Sequence, residues 1–152
     1  MAHPSSSTVG WAEELFRRIG NAEHVVRTGY YTNGHVGRRG MCHENVAQWL
    51  QEHPCDRPVR GWLVDQSQLQ YGFIDFHAHS VVDVAGGGLQ DVTLGVCDPD
   101  YEFLRDERSD EEFLTHARAK PTLRHVVDQV RYDAFQLALE NPYFSGGLDS
   151  EE

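Results

Sequence analysis

The sequence predicts an α+β domain in which an antiparallel sheet packs against helices. Three observations carry that expectation. Residues 59–64 and 73–84 are rich in β-branched and aromatic side chains, the run Gly86-Gly87-Gly88 turns the chain directly into a further strand-like segment at 89–93, and helical periodicity brackets this block on both sides. Strands joined by turns this short pair antiparallel, because a parallel crossover needs a dozen residues or more. At 152 residues the chain has the size of one domain, with an expected core of about residues 9–140 and an acidic, glycine-containing tail at 145–152.

Each element has a local reason. Trp11, Leu15 and Ile19 fall on one helical stripe, and Gly20 stops it. Residues 28–40 hold four glycines among Tyr30, Tyr31 and Asn33, which reads as a long loop suited to binding. A helix begins close to Met41, carries Val46, Trp49 and Leu50, and must end before Pro54. Trp49 and Trp62 are expected in the core. The strands at 59–64 and 73–84 follow, then a hairpin with a loop longer than two residues and the strand at 89–93. Asp98-Pro99-Asp100 marks a turn, and Ser109-Asp110-Glu111-Glu112 has the capping-box pattern that opens a helix carrying Phe113, Leu114 and Ala117. Residues 123–132 suit strand or helix equally, and 133–139 read as helical.

Thirteen basic against twenty-four acidic residues give a formal charge of −11, which repels both nucleic acid and anionic membranes. No apolar run approaches the roughly 20 residues that cross a bilayer, and the first residues lack the basic and apolar regions of a signal peptide. A cytoplasmic protein is expected. Cys42, Cys55 and Cys97 form no Cys-x-x-Cys knuckle and are an odd number, so free thiols are the default.

Cys42 stands apart from the other two because it opens a helix. First-turn N–H groups and the positive end of the helix dipole favour thiolate over thiol, and the same N–H groups can hold an oxyanion. A histidine on the facing strand would take the thiol proton, and a carboxylate across the hairpin would orient that ring. Cys42, His79 and Asp91 meet those requirements. His77 shares a strand face with His79, so periodicity does not choose between them; His79 is the preferred base and His77 the alternative. Asn33 or His35 would supply an oxyanion donor, and Tyr31 would line a cleft. Glu44 and Asn45 are read as structural residues of the first helical turn. No cofactor is called for, and the expected partner is a protein or small-molecule amide.

The pattern Cys42-His43-x-Asn45, then Gly61-Trp62, His79-Ser80-Val81-Val82, Leu89-Gln90-Asp91-Val92-Thr93 and Tyr101-Glu102-Phe103-Leu104, resembles small bacterial and phage proteins of the papain-like and transglutaminase-like cysteine folds. The resemblance covers about residues 41–103. It implies a cysteine-bearing helix packed on a sheet that bears histidine and then aspartate, and attack of a thiolate on an amide, isopeptide or thioester carbonyl. Two other classes compete. A zinc site would draw on His77 and His79 with Cys42, His43 or Asp91, and a non-catalytic acidic protein would use its charge to bind a basic partner.

Overall fold

The computed structural model describes residues 8–28, 41–95 and 98–141. Among them are four α-helices and one sheet of six strands, a mixed α+β fold as expected. In chain order these are α1 (Thr8–Arg17), β1 (Val26–Arg27), α2 (Cys42–Glu52), β2 (Arg57–Asp65), β3 (Phe73–Val84), β4 (Gly88–Asp91), β5 (Glu102–Arg105), α3 (Asp110–Ala119), β6 (Thr122–Val126) and α4 (Gln129–Glu140).

The sheet order is β1-β4-β3-β2-β5, with β6 also paired to β3. β3 is the spine. Its antiparallel pairing with β2 runs from Asp75↔Asp65 to Asp83↔Arg57 along one edge. The opposite edge is shared between β6, which pairs with residues 73–77, and β4, which pairs with residues 82–84. Residues 78–81 of that edge lie between the two partners, and the start of α2 meets β3 there.

Two strands were not anticipated. β1 is two residues long and pairs parallel to β4, so the sheet is not wholly antiparallel. So short a strand leaves no periodicity to read. β5 occupies Glu102–Arg105, a segment noted for resemblance but not assigned as a strand. The ambiguous stretch 123–132 divides: β6 takes its first part and α4 starts at Gln129, where Asp128 caps the helix by accepting from the Arg131 N–H. α1 ends at Arg17, short of the expected stop at Gly20, and Ile19–Asn21 form a 3-10 turn instead. Other local rules hold. Ser109 caps α3 through the Glu112 N–H, and the β3–β4 loop is three residues long, with Gly86 at φ 78° and Gly88 at φ 80°, conformations open to glycine.

Alternation along β3 divides the packing. Ile74 and Phe76 point to the face where Trp62, Val64, Leu104 and Leu123 meet Trp11 and Leu15 of α1 and Phe113 of α3. Farther along the same face, Val82 packs with Val92 against Val46 of α2. Val81 points the other way, into a cluster with Leu63 and Phe103. Trp62 is fully buried and Trp49 packs partly buried beside Val46, as the sequence suggested.

Candidate active site

α2 begins at Cys42, and Met41 in the N-cap position contributes no side-chain hydrogen bond to the first turn. That leaves the turn's N–H groups without the usual cap and directs the positive end of the helix at the thiol. Cys42 is buried. Its Sγ lies 3.9 Å from the Ala78 carbonyl oxygen of β3 and 3.7 Å from Nδ1 of His43.

His79 and Asp91 come together as expected. His79 Nε2 donates to Asp91 Oδ2 at 2.7 Å, and both side chains are at most 5% exposed. The contact is diagonal: the register Val82↔Gln90 places Asp91 level with Val81, two residues from His79 and on its face of the sheet. Asp91 is held in turn, because Oδ1 accepts the N–H groups of Thr93 and Leu94 at 2.9 and 3.0 Å. With Nε2 committed to Asp91, Nδ1 is the ring nitrogen left for the thiol.

Electrostatics reflect this grouping. Burial pushes the Cys42 thiol up, but hydrogen bonds and charge from His43 and His79 outweigh it and bring the pKa down to about 6. For His79, burial favours the neutral ring, yet Asp91 first and Cys42 second raise it to about 9. Asp91 is itself disfavoured as an anion by burial and pulled below its ordinary value by His79 and the two N–H donors. Between about pH 6 and 9 the stable form of the pair is therefore thiolate and imidazolium.

His77 faces the same cleft but is otherwise engaged. Its Nε2 bonds Asp65 Oδ2 at 2.9 Å and its Nδ1 bonds Thr122 Oγ1 at 3.1 Å, so it has no ring nitrogen left for Cys42. The cleft has a volume of about 460 Å³ and is lined by Cys42, His77, His79 and Thr122, with Glu44 and Arg118 also on its walls. That is room for a small-molecule group or one side chain of a larger substrate.

Two contributors escaped the sequence reading. The sequence offers His43 only as a metal ligand, yet its hydrogen bond is the largest influence lowering the Cys42 pKa. Its Nδ1 lies 2.5 Å from Ser80 Oγ, which accepts from Arg60 Nη1 at 2.8 Å. Its place beside Cys42 was the available signal. Asn45 is structural, as read, but in a specific way: Nδ2 donates to Thr93 Oγ1 at 3.0 Å and so ties α2 to the turn that holds Asp91. Nothing in the local pattern could have named Thr93 as its partner. Tyr31, Asn33 and His35, together with Tyr30 and Cys97, lie outside the described residues. Cys55 is an exposed free thiol. Among the described residues no three His, Cys, Asp or Glu side chains converge as a metal site requires.

No family model, curated protein or solved structure matches this chain.

Proposed function

We infer that the protein is a cysteine-dependent hydrolase or acyltransferase of papain-like or transglutaminase-like arrangement, acting on an amide, isopeptide or thioester carbonyl. One observation carries the reading: a thiol in the first turn of α2, with its pKa brought to about 6, beside an imidazole whose far nitrogen is held by a buried carboxylate. A structural cysteine has no need of that assembly, since burial alone would raise its pKa.

The chemistry follows from the atoms. Cys42 Sγ attacks the carbonyl carbon, and the π electrons move onto the oxygen, where the N–H groups opening α2 stabilise them. As the oxyanion collapses, the bond to the leaving nitrogen or sulfur breaks and that atom takes the proton from His79 Nδ1. A thioester on Cys42 remains. Water or an amine then attacks it, losing its proton to His79, and the C–S bond breaks to return the thiolate. Asp91 keeps the imidazole oriented and stabilises its charged form throughout.

His79 is taken as the base because Asp91 holds and orients its ring, whereas the ring of His43 bonds Ser80 Oγ, which accepts in turn from Arg60. The zinc reading is less well supported, because His77 and His79 each turn Nε2 to a different carboxylate.

The test is alkylation of the intact chain with iodoacetamide at pH 6.5, followed by site-resolved mass spectrometry. Cys42 should label at least tenfold faster than Cys55, and Cys42→Ala should lose the fast phase. Equal, sluggish labelling of the thiols would sink the proposal; protection relieved by a chelator would favour metal.

A further inference from the structure

Beside Cys42 the cleft is lined by a second imidazole, His77, which bonds the Thr122 hydroxyl on one side and the Asp65 carboxylate on the other. Asp65 Oδ1 accepts from the Ser67 N–H at 3.0 Å and its Oγ at 2.6 Å, while Oδ2 takes His77 Nε2. Burial disfavours the Asp65 anion, but Ser67 and His77 overcome it and hold the carboxyl below its ordinary value, so it accepts only. An acceptor on Nε2 fixes the proton of a neutral ring there and leaves Nδ1 an acceptor too. In that neutral form Thr122 Oγ1, 3.1 Å away, gives its proton to the ring. With its proton committed, the Thr122 oxygen offers the cleft only lone pairs.

The backbone that carries that oxygen is tied to the part of β3 that meets the thiol. Thr122 is the register partner of His77, and the neighbouring Pro121 carbonyl accepts the Ala78 N–H at 2.8 Å, while the Ala78 carbonyl is the one 3.9 Å from Cys42 Sγ. A single residue of β3 thus separates the backbone beside Thr122 from the nucleophile, and Thr122 and Cys42 line one cleft.

We propose that Thr122, oriented by His77 and Asp65, is a specificity subsite that accepts a hydrogen bond from a substrate N–H, so that the cleft selects amides and isopeptides carrying that N–H over thioesters and N,N-disubstituted amides. This rests on Cys42 being the nucleophile. Thr122 would touch the substrate; His77 and Asp65 are positioning residues. If the three merely brace β3 against β6, their loss would cost stability without changing selectivity.

Two electrophiles of the same chemistry separate the cases: iodoacetamide, which has two N–H donors, and N,N-dimethyl-iodoacetamide, which has none. Their rate ratio on Cys42 at pH 7, divided by their ratio on glutathione, should be about 10, the worth of roughly one hydrogen bond. Thr122→Val and Asp65→Asn should each bring the quotient to about 1, and Thr122→Ser should keep it. A quotient near 1 in the wild type, or one unchanged in Thr122→Val, overturns the subsite. Should Thr122→Val fail to fold, Asp65→Asn decides alone: an unchanged quotient there overturns the subsite. If Cys42 reacts no faster than glutathione with either probe, the nucleophile assignment falls, and the subsite with it.

Discussion

At the scale of the residue, Cys42 and His79 are two groups whose environments move their pKa values past one another. A thiol lowered to about 6 is deprotonated above that value, and an imidazole raised to about 9 stays protonated below it. Alkylation of Cys42 should accordingly rise with a midpoint near pH 6 instead of the roughly 8.5 of a free thiol, and turnover should trace a bell between about 6 and 9. A labelling midpoint above 8 contradicts this. The three nearby histidines should separate under mutation. His79→Ala should lower turnover by about 100- to 10,000-fold and move the thiol pKa toward about 8.5. Asp91→Asn should also be costly, and the double variant should lose far less than the product of the two effects, since both act through one imidazole. His43→Ala should raise the thiol pKa while turnover persists, and His77→Ala should leave the thiol pKa near that of the wild type. Absorbance of the thiolate against pH, recorded for each variant, distinguishes these outcomes.

At the scale of the element, the site depends on how closely β5 lies against β2. Gly61 is the register partner of His79, and a Cβ at position 61 would stand 2.3 Å from the Leu104 carbonyl oxygen and 2.5 Å from the Phe103 ring. A backbone oxygen in a paired strand cannot swing aside as a side-chain tip can. Gly61→Ala should therefore cost about 1–3 kcal/mol in urea unfolding, and because β2 carries β3 beside it, Cys42 alkylation should slow as His79 shifts. A variant with wild-type stability would mean that β5 can retreat freely. The other elements that frame the cleft are set by terminal chemistry: α3 by its Ser109 cap, and α2 by Pro54 beyond its end.

At the scale of the whole molecule, one core fastens α1 and α3 to the sheet. Trp62 of β2 is fully buried, meets Trp11 of α1 edge-on at 6.4 Å and Phe113 of α3 at 5.4 Å, and donates Nε1 to Asp106 Oδ2 at 2.8 Å. Trp62→Ala should destabilise the fold by roughly 3–5 kcal/mol and leave a buried carboxylate short of a donor. Equilibrium denaturation measures it, and a loss under 1 kcal/mol would show that the two helices do not depend on this contact. No helix among the described residues is long and apolar enough to cross a membrane.

The sequence by itself determined those features whose causes lie within a few residues. The bounds of β3, the start of α2 at Cys42, the cap of α3 and the glycine loop before β4 were legible because periodicity, Pro54, Ser109 and Gly86-Gly87-Gly88 act locally. So were the residue types of the site, since a nucleophile, a base and an orienting carboxylate announce themselves by chemistry. Only the tertiary structure decided which histidine meets which carboxylate. His77 and His79 are equivalent by alternation. What separates them is that β6 pairs with β3 through His77 and brings Thr122 beside it, that β2 sets Asp65 within reach of the same ring, and that β4 begins pairing at Val82 and so carries Asp91 to His79. Those are long-range pairings across 12 to 45 residues, and no local propensity encodes them. Parallel β1 and the short β5 were illegible for the same reason: each is a strand because of its neighbour.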